Sequence, residues 1–427
     1  MSVQNYSLPW LKLDQSRLSI TRNVLTCRYL GMRKLFDSGL CFYWTLLLLT
    51  GWSCGRSQET SKPKEKAETE TIADLGALPR FVTDHPGNPT SPEKVQLGRL
   101  LFFDPVLSGN RDVACATCHQ PEFSYAEFLE TSIGVNGVGR GSKRVFPDPN
   151  DIPFVKRNSQ SLLNVAFNGI RNDEPYHPES AVMFWDVRAK SLEEQALFPI
   201  RTFEEMRGHG YEEDRVVEGI VKRLKDIPEY RSLFSGAFNG ESDPVNAGNL
   251  GKAIASYERT LIANNSRFDQ YMRGDSSALT TGEKEGLNLF LKSGCAKCHS
   301  GPMLSDFKLH TLGVPDTRNR KESDTGGNEN YGFRTPTLRN LRYTGPYMHS
   351  GAFKTLDQVL LFYEDLAGGK IENPNVAMYQ MDTLINQMNV KFKDIDRIVE
   401  FLNALNDDSF DNTIPAKVPS GLPVSGR

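Results

Sequence analysis

The chain has 427 residues, 24% of them charged, and a formal net charge of −3. That balance offers a polyanion no basic surface, so no nucleic-acid partner is expected. The length is that of about two or three domains with buried cores. Of seven cysteines, Cys27, Cys41 and Cys54 precede residue 55 and the other four fall in two pentapeptides, which leaves none for a structural disulfide in the folded body.

The N-terminus reads as an export signal preceded by extra residues. Met32-Arg33-Lys34 is a compact positive stretch, and the apolar run from Leu40 to Thr50 follows it. The run is too short for a comfortable transmembrane helix. Translation starting at Met32 would leave residues 1–31 outside the protein. Cys54, after Ser53, suggests lipoprotein processing, whereas Gly51 and Trp52 fit a lipobox poorly and favour ordinary cleavage nearby. Residues 1–55 are thus an N-terminal extension and signal, and residues 56–75 a charged tether that builds no core.

Ser91 with Pro92 predicts a helix start, and Leu97, Leu100, Leu101 and Phe102 give it an apolar face. It feeds Cys115-Ala116-Thr117-Cys118-His119. Ser191 and Glu194 predict a short capped helix carrying Gln195. Residues 250–272 read as one amphipathic helix, with Leu250, Ile254, Tyr257 and Leu261 on a stripe. Thr280 and Glu283 form a capping box before Leu287, Leu289, Phe290 and Leu291, and that helix feeds Cys295-Ala296-Lys297-Cys298-His299. Thr355 and Gln358 open another helix that stops near Gly368 and places Leu356, Val359, Leu360 and Tyr363 on one face. Ile395, Ile398, Val399, Leu402 and Leu405 make a closing helix. Strand signals are sparse, and the Pro- and Gly-rich stretches 134–153 and 313–337 read as long loops that shape access to a site.

Each Cys-x-x-Cys-His pentapeptide reads as a c-type haem attachment site: the thiols add to the haem vinyl groups and the histidine ligates the iron. A four-cysteine zinc site or a pair of disulfides is the competing reading, but zinc needs no histidine directly after both second cysteines. Two copies 180 residues apart favour haem. The expected fold is mainly α: two cytochrome c-like haem domains related by duplication, 76–245 and 246–415, with a border in the Gly- and Asp-rich stretch 236–249 and a tail over 416–427. Covalent haem c is assembled outside the cytoplasm, which agrees with export to the periplasm, lipid-anchored if Cys54 is modified.

Beyond the haem motifs, the matching stretches are Leu100 to Pro105, Arg157-Asn158-Ser159, Phe184-Trp185-Asp186 followed by Arg188-Ala189-Lys190, Glu205-Met206, Thr337-Leu338-Arg339-Asn340 and Pro346-Tyr347-Met348-His349. In that order, over roughly residues 90–405, the chain resembles the bacterial dihaem cytochrome c peroxidases and the dihaem enzymes that mature methylamine dehydrogenase. The resemblance implies that His119 ligates a peroxidatic haem and His299 an electron-transfer haem. It implies Glu205 as the distal acid–base catalyst, since a single carboxylate can take a proton from one peroxide oxygen and give it to the other. Residue chemistry alone would leave Glu204 and Glu205 as a solvated acidic patch, of which only one member should reach the haem. Gln195 matches a glutamine near the same pocket, and its plain alternative is a polar helix residue. Trp185 matches the tryptophan between the haems, where it can pass electrons, against the alternative of an ordinary buried core residue. A calcium ion is implied too, held by the Asn158 side chain and the backbone carbonyls of Thr344 and Pro346.

Two departures from the family pattern stand out. The loop Thr131-Ser132-Ile133-Gly134-Val135-Asn136 lacks the distal histidine that the peroxidases place there, and the next histidine is His177, with His209 beyond it. The first haem is therefore expected to be open to peroxide without a prior loop rearrangement. Tyr363, fourteen residues after His349, stands where the peroxidases carry a methionine ligand and the maturation enzymes a tyrosine. A Tyr363 phenolate would stabilise oxidised iron, whereas a thioether raises the potential; an inward tyrosine is also ordinary core. Met348, Met378 and Met381 are the thioether alternatives, usually packing residues. His310 is either a partner for a haem propionate or a plain loop histidine, and His349 receives no ligand role.

The expected activity is reduction of hydrogen peroxide with electrons from a small cytochrome c or another exported donor. The alternatives are a protein-oxidising enzyme like the methylamine dehydrogenase maturation branch and a non-catalytic dihaem electron carrier. A homodimer is left open.

Overall fold

The computed structural model describes residues 71–426. The export signal, Cys27, Cys41, Cys54 and the tether up to residue 70 lie outside the described residues. Helix α1 (Pro92–Phe103) starts as its sequence predicts, with Ser91 Oγ accepting the Lys94 amide at 3.3 Å and Pro92 in the first turn. The single turn α2 (Cys115–Cys118) carries the first pentapeptide. Two four-residue turns follow, α3 (Leu192–Gln195) and α4 (Phe198–Arg201), then the longer α5 (Val216–Asp226), α6 (Pro228–Ala237) and α7 (Ala247–Glu258). After α8 (Arg267–Met272), α9 (Thr281–Lys292) leads to a tight turn, Cys295–Lys297, at the second pentapeptide. Two three-residue strands, β1 (Leu309–Thr311) and β2 (Gly332–Arg334), pair antiparallel with Leu309 opposite Arg334. Helices α10 (Leu356–Ala367) and α11 (Ile395–Asn403) come last. The protein is mainly helical, as its scarce strand signals predict.

The capping box at Thr280 is formed in both directions: Thr280 Oγ accepts the Glu283 amide at 3.2 Å, and Glu283 Oε2 accepts the Thr280 amide at 2.9 Å. At Thr355 and Ser191 only half forms. The side chains of Gln358 and Glu194 reach one residue further back, to the amides of Lys354 and Lys190. The single helix expected over 250–272 is two. α7 ends at Glu258, and a new capping box at Ser266, closed with Asp269, starts α8. Leu261 stays fully buried although it lies in the connecting loop, where its amide bonds to the Glu258 carbonyl and its own carbonyl takes the Asn164 amide.

The same helix contact occurs once beside each haem motif. An added Cβ on Gly98 in α1 would stand 1.9 Å from the Ala253 carbonyl oxygen of α7, and one on Gly286 in α9 would stand 1.9 Å from the Arg397 carbonyl oxygen of α11. One turn further on, aromatic pairs fill the space: Phe102 meets Tyr257 and Phe290 meets Phe401, each with ring centroids 5.2 Å apart. Backbones this close admit glycine alone. Gly98→Ala and Gly286→Ala are each expected to cost roughly 1–3 kcal/mol through forced separation of the helices. A denaturation midpoint unchanged by either substitution would show that the pair does not touch there.

Around these contacts lie two cores. Leu97, Leu101, Ile220, Leu224, Tyr230, Phe234, Leu250 and Ile254 bind α1 to α5, α6 and α7. Leu287, Phe290, Ile398, Phe401, Leu402, Leu356 and Leu360 bind α9 to α10 and α11. The C-terminal residues return to the first of these regions: Val418 packs with Phe102 and Phe103, and the Ser425 amide donates to the Phe103 carbonyl at 3.1 Å. Among the described residues no helix is long and apolar enough to cross a membrane.

Candidate active site

A cavity of about 610 Å³ runs between the two cores and is lined by both pentapeptides. Of the other residues singled out in the sequence, Asn158, Trp185, Gln195, Glu205, Thr344, Pro346 and Tyr363 are among those that line it.

In each pentapeptide the histidine is oriented by a backbone carbonyl. His119 Nδ1 lies 3.0 Å from the Tyr125 carbonyl oxygen and 3.3 Å from Ser159 Oγ, and His299 Nδ1 lies 2.9 Å from the Leu304 carbonyl oxygen. A carbonyl only accepts, so Nδ1 carries the proton and Nε2 is the lone-pair nitrogen. Burial lowers the pKa of both imidazoles and keeps them neutral, the form that ligates iron. The zinc alternative fails. Among the described residues the one group of ligand atoms close enough for a metal is Cys298, Asp306 and His310, not the four sulfurs, and the four described cysteines form no disulfide. Two cysteines and one carbonyl-locked histidine, repeated on a shared cavity, fit two molecules of haem c.

Glu205 sits in a π turn, Phe203–Arg207, where the amides of Met206 and Arg207 both reach the Thr202 carbonyl. The loop lacking a histidine packs directly on this turn. The Val135 amide bonds to the Glu205 carbonyl at 3.2 Å, and a Cβ on Gly134 would stand 2.1 Å from the Glu204 carbonyl oxygen. Arg144 holds the loop, donating to the carbonyls of Ile133 and Gly134 at 2.6 and 2.7 Å. Burial pushes the Glu205 carboxyl up to about 7; Arg188 opposes this and Glu204 adds to it. Glu204 and Glu205 both border the cavity, and Glu205 is the one whose carboxyl burial perturbs. Gln195 Oε1 is buried without a partner.

Two acids that the sequence did not reveal flank the first pentapeptide. Burial raises Glu127 and Glu258 to about 8 each, and each keeps an unpartnered Oε2. Glu258, at the end of α7, lines the cavity near Cys115. No spacing signal marks either one, because only the packed fold removes their water.

Trp185 is buried, with its indole N–H donating to the Asn158 carbonyl at 3.0 Å and its ring edge-on to His349 at 6.4 Å. His349 stacks on Phe333 at 3.4 Å, and burial holds its ring neutral, with the pKa down to about 3. Arg157 ties this region through Asp324, at 2.6 and 3.0 Å, to the stretch 313–337, which is not the single loop expected because it contains β2. His177 and His209 are largely exposed, paired with Glu179 and Asp151, and neither lines the cavity, so neither replaces the missing distal histidine.

On the second side, Leu356, Val359, Leu360 and Tyr363 of α10 all face the cavity, as their spacing predicts. Burial beside Cys298 and Cys295 raises the Tyr363 phenol well above its ordinary range. Of the thioether alternatives, Met348 lines the cavity, Met378 is 63% exposed, and Met381 packs against Gly313 away from it. Met388, which no motif marks, lines the cavity as well. His310 is not a plain loop residue. It lies on β1 with Nδ1 2.5 Å from Asp382 and Nε2 2.9 Å from Asp306, so both nitrogens are engaged by carboxylates.

A mainly helical frame bearing two Cys-x-x-Cys-His sites on one cavity, with a buried acid beside the first, defines a c-type di-haem protein. Over residues 92–277 the sequence matches the di-haem cytochrome c peroxidase family. It is 33% identical over 353 residues to the methylamine utilization protein MauG of Methylorubrum extorquens, covering 79% of this chain and 88% of that one. It is also 33% identical over 339 residues to the cytochrome c551 peroxidase of Pseudomonas aeruginosa, covering 77% and 83%. Among solved structures, a MauG-like protein associated with microbial copper homeostasis superposes with a TM-score of 0.62 at 27% identity, over 78% of this chain and 95% of that one. The chain belongs to the di-haem cytochrome c peroxidase family.

Proposed function

We propose that the protein reduces hydrogen peroxide to water at the His119 site, with electrons from an exported cytochrome c or a similar donor. The observation that carries this reading is Glu205, a carboxyl held at the cavity wall by a π turn with its pKa near neutrality. Bound haem would supply the iron that holds the peroxide oxygen and passes it electrons. Glu205 would take a proton from one peroxide oxygen and give it to the other, which leaves as water as the O–O bond breaks, and two electrons from the donor with two protons from solvent convert the remaining oxygen to the second water. Gln195 Oε1, buried without a partner, is positioned to accept a hydrogen bond from the substrate. Electrons entering at the His299 site cross by Trp185, which borders the cavity shared by both sites. Asn158 Nδ2 donates to the Leu129 carbonyl at 3.0 Å, so its Oδ1 faces the other way. That oxygen, with the carbonyls of Thr344 and Pro346, suits calcium. The two halves would derive from one repeated haem unit, working in the periplasm.

A second reading is protein oxidation in the manner of the MauG relatives. It is favoured by Tyr363 on the cavity wall beside Cys295 and Cys298. Steady-state assay with peroxide and a reduced small cytochrome separates the two. Sustained turnover is expected; a negligible rate with a long-lived oxidised species would favour the second, and inertness to peroxide would leave only an electron carrier.

A further inference from the structure

Five arginines of the described chain are buried: Arg144, Arg157, Arg259, Arg334 and Arg339. Arg157 pairs with Asp324 and Asp186, Arg259 with Glu193 and Arg339 with Asp269, and Arg144 lies near Glu127. Arg334 meets no carboxylate. Its guanidinium donates from Nε to the Phe184 carbonyl at 2.8 Å and from Nη2 to Gln160 Oε1 at 3.1 Å. Among the described residues nothing takes Nη1, so most of its five N–H donors are unused. Burial alone lowers its pKa, to about 10, with no opposing anion. A buried cation offset only by the Phe307 ring, 5.7 Å from its guanidinium carbon, is costly, and its presence implies an anion that the polypeptide does not provide.

The position narrows that anion. Arg334 ends β2 and lines the cavity, and its amide donates to the Trp185 carbonyl at 2.7 Å. Gln160, which holds Nη2, also brings its backbone against His119, and Pro336, two residues beyond Arg334, brings its backbone against His299. Arg334 is therefore held by neighbours that touch the histidines of both haem sites, beside Trp185. Haem c carries carboxylates of its own, and a planar fork of N–H donors matches a carboxylate in bidentate fashion.

We propose that Arg334 binds a haem propionate between the two haem sites. The inference rests on the di-haem reading, and its test separates the two. A propionate stripped of its cation favours ferric over ferrous iron, so removing the guanidinium lowers the reduction potential of the haem whose propionate it holds. In holoprotein carrying two haems, Arg334→Gln is expected to shift the one-electron equilibrium of one haem at least tenfold, or about 59 mV, toward the oxidised form. Arg334→Lys should restore most of the shift because it keeps the charge. Spectroelectrochemical titration following each haem identifies which one supplies the carboxylate. Two unmoved potentials in Arg334→Gln protein with both haems attached would overturn the proposal. Resonance Raman spectra of the wild-type protein in H2O and D2O keep the question decidable if the variants do not assemble: the propionate bending band of one haem should shift on deuteration, and no shifted band at either haem would overturn it too. Wild-type protein carrying fewer than two haems would instead sink the di-haem reading.

Discussion

Glu205→Gln is expected to reduce peroxide turnover by about 100- to 10,000-fold, the range lost when a positioned acid–base group is removed. The glutamine keeps the size and polarity of the side chain, and the π turn is held by backbone bonds that the substitution does not touch. The pH profile should change with the rate. Glu205 must be ionised to take the first proton, and burial sets its pKa at about 7. The wild-type rate therefore rises as pH increases through about 7 and falls below it, and the variant should lose that limb. The same shift opposes folding. The folded carboxyl holds its proton more tightly than the unfolded chain does, so the group's contribution to stability declines from the ordinary glutamate range up to about pH 7. Stopped-flow and steady-state rates across pH 5 to 9 check the kinetic part. A variant with the wild-type rate and profile would remove Glu205 from the chemistry.

Tyr363→Met should raise the reduction potential of the second haem on the order of tenths of a volt, because axial ligands set haem potentials over most of a volt. The α10 face already points this side chain into the cavity beside Cys295 and Cys298, so the exchange puts a thioether where the phenol stood. Such a haem becomes a better acceptor from a small cytochrome and a poorer partner in holding oxidising equivalents. Peroxidase turnover should rise relative to any protein oxidation. Tyr363→Phe gives the control: spin state and potential unchanged from the wild type would make Tyr363 a packing residue.

The two substitutions probe residues of different legibility. The inward face of Tyr363 was readable because helix periodicity puts residues 356, 359, 360 and 363 together, and that face borders the cavity, whereas its candidacy as an iron ligand came from the family resemblance. Glu205 was readable only through resemblance to a family, since two adjacent acids otherwise look like solvated surface. Its burial depends on Gly134, seventy-one residues earlier, and its charge environment on Arg188. Where the expectation failed, the reason was local competition. The helix expected over 250–272 breaks because Ser266 with Asp269 caps a new start more strongly than the apolar stripe holds the old one. His310 is no plain loop residue because Asp306 and Asp382 approach it from separate segments.

Haem attachment and helix starts could be read from the chain alone because both are short-range chemistry. Two thiols and an imidazole within five residues, or a hydroxyl three residues from an acid, carry their meaning wherever the chain goes. The cavity, the acidity of Glu205, the buried acids Glu127 and Glu258 and the unpaired charge of Arg334 belong to the folded molecule. Each exists because residues distant in sequence exclude water from one place, and the energy of an ionisable group follows the water and charges around it, not its neighbours along the chain.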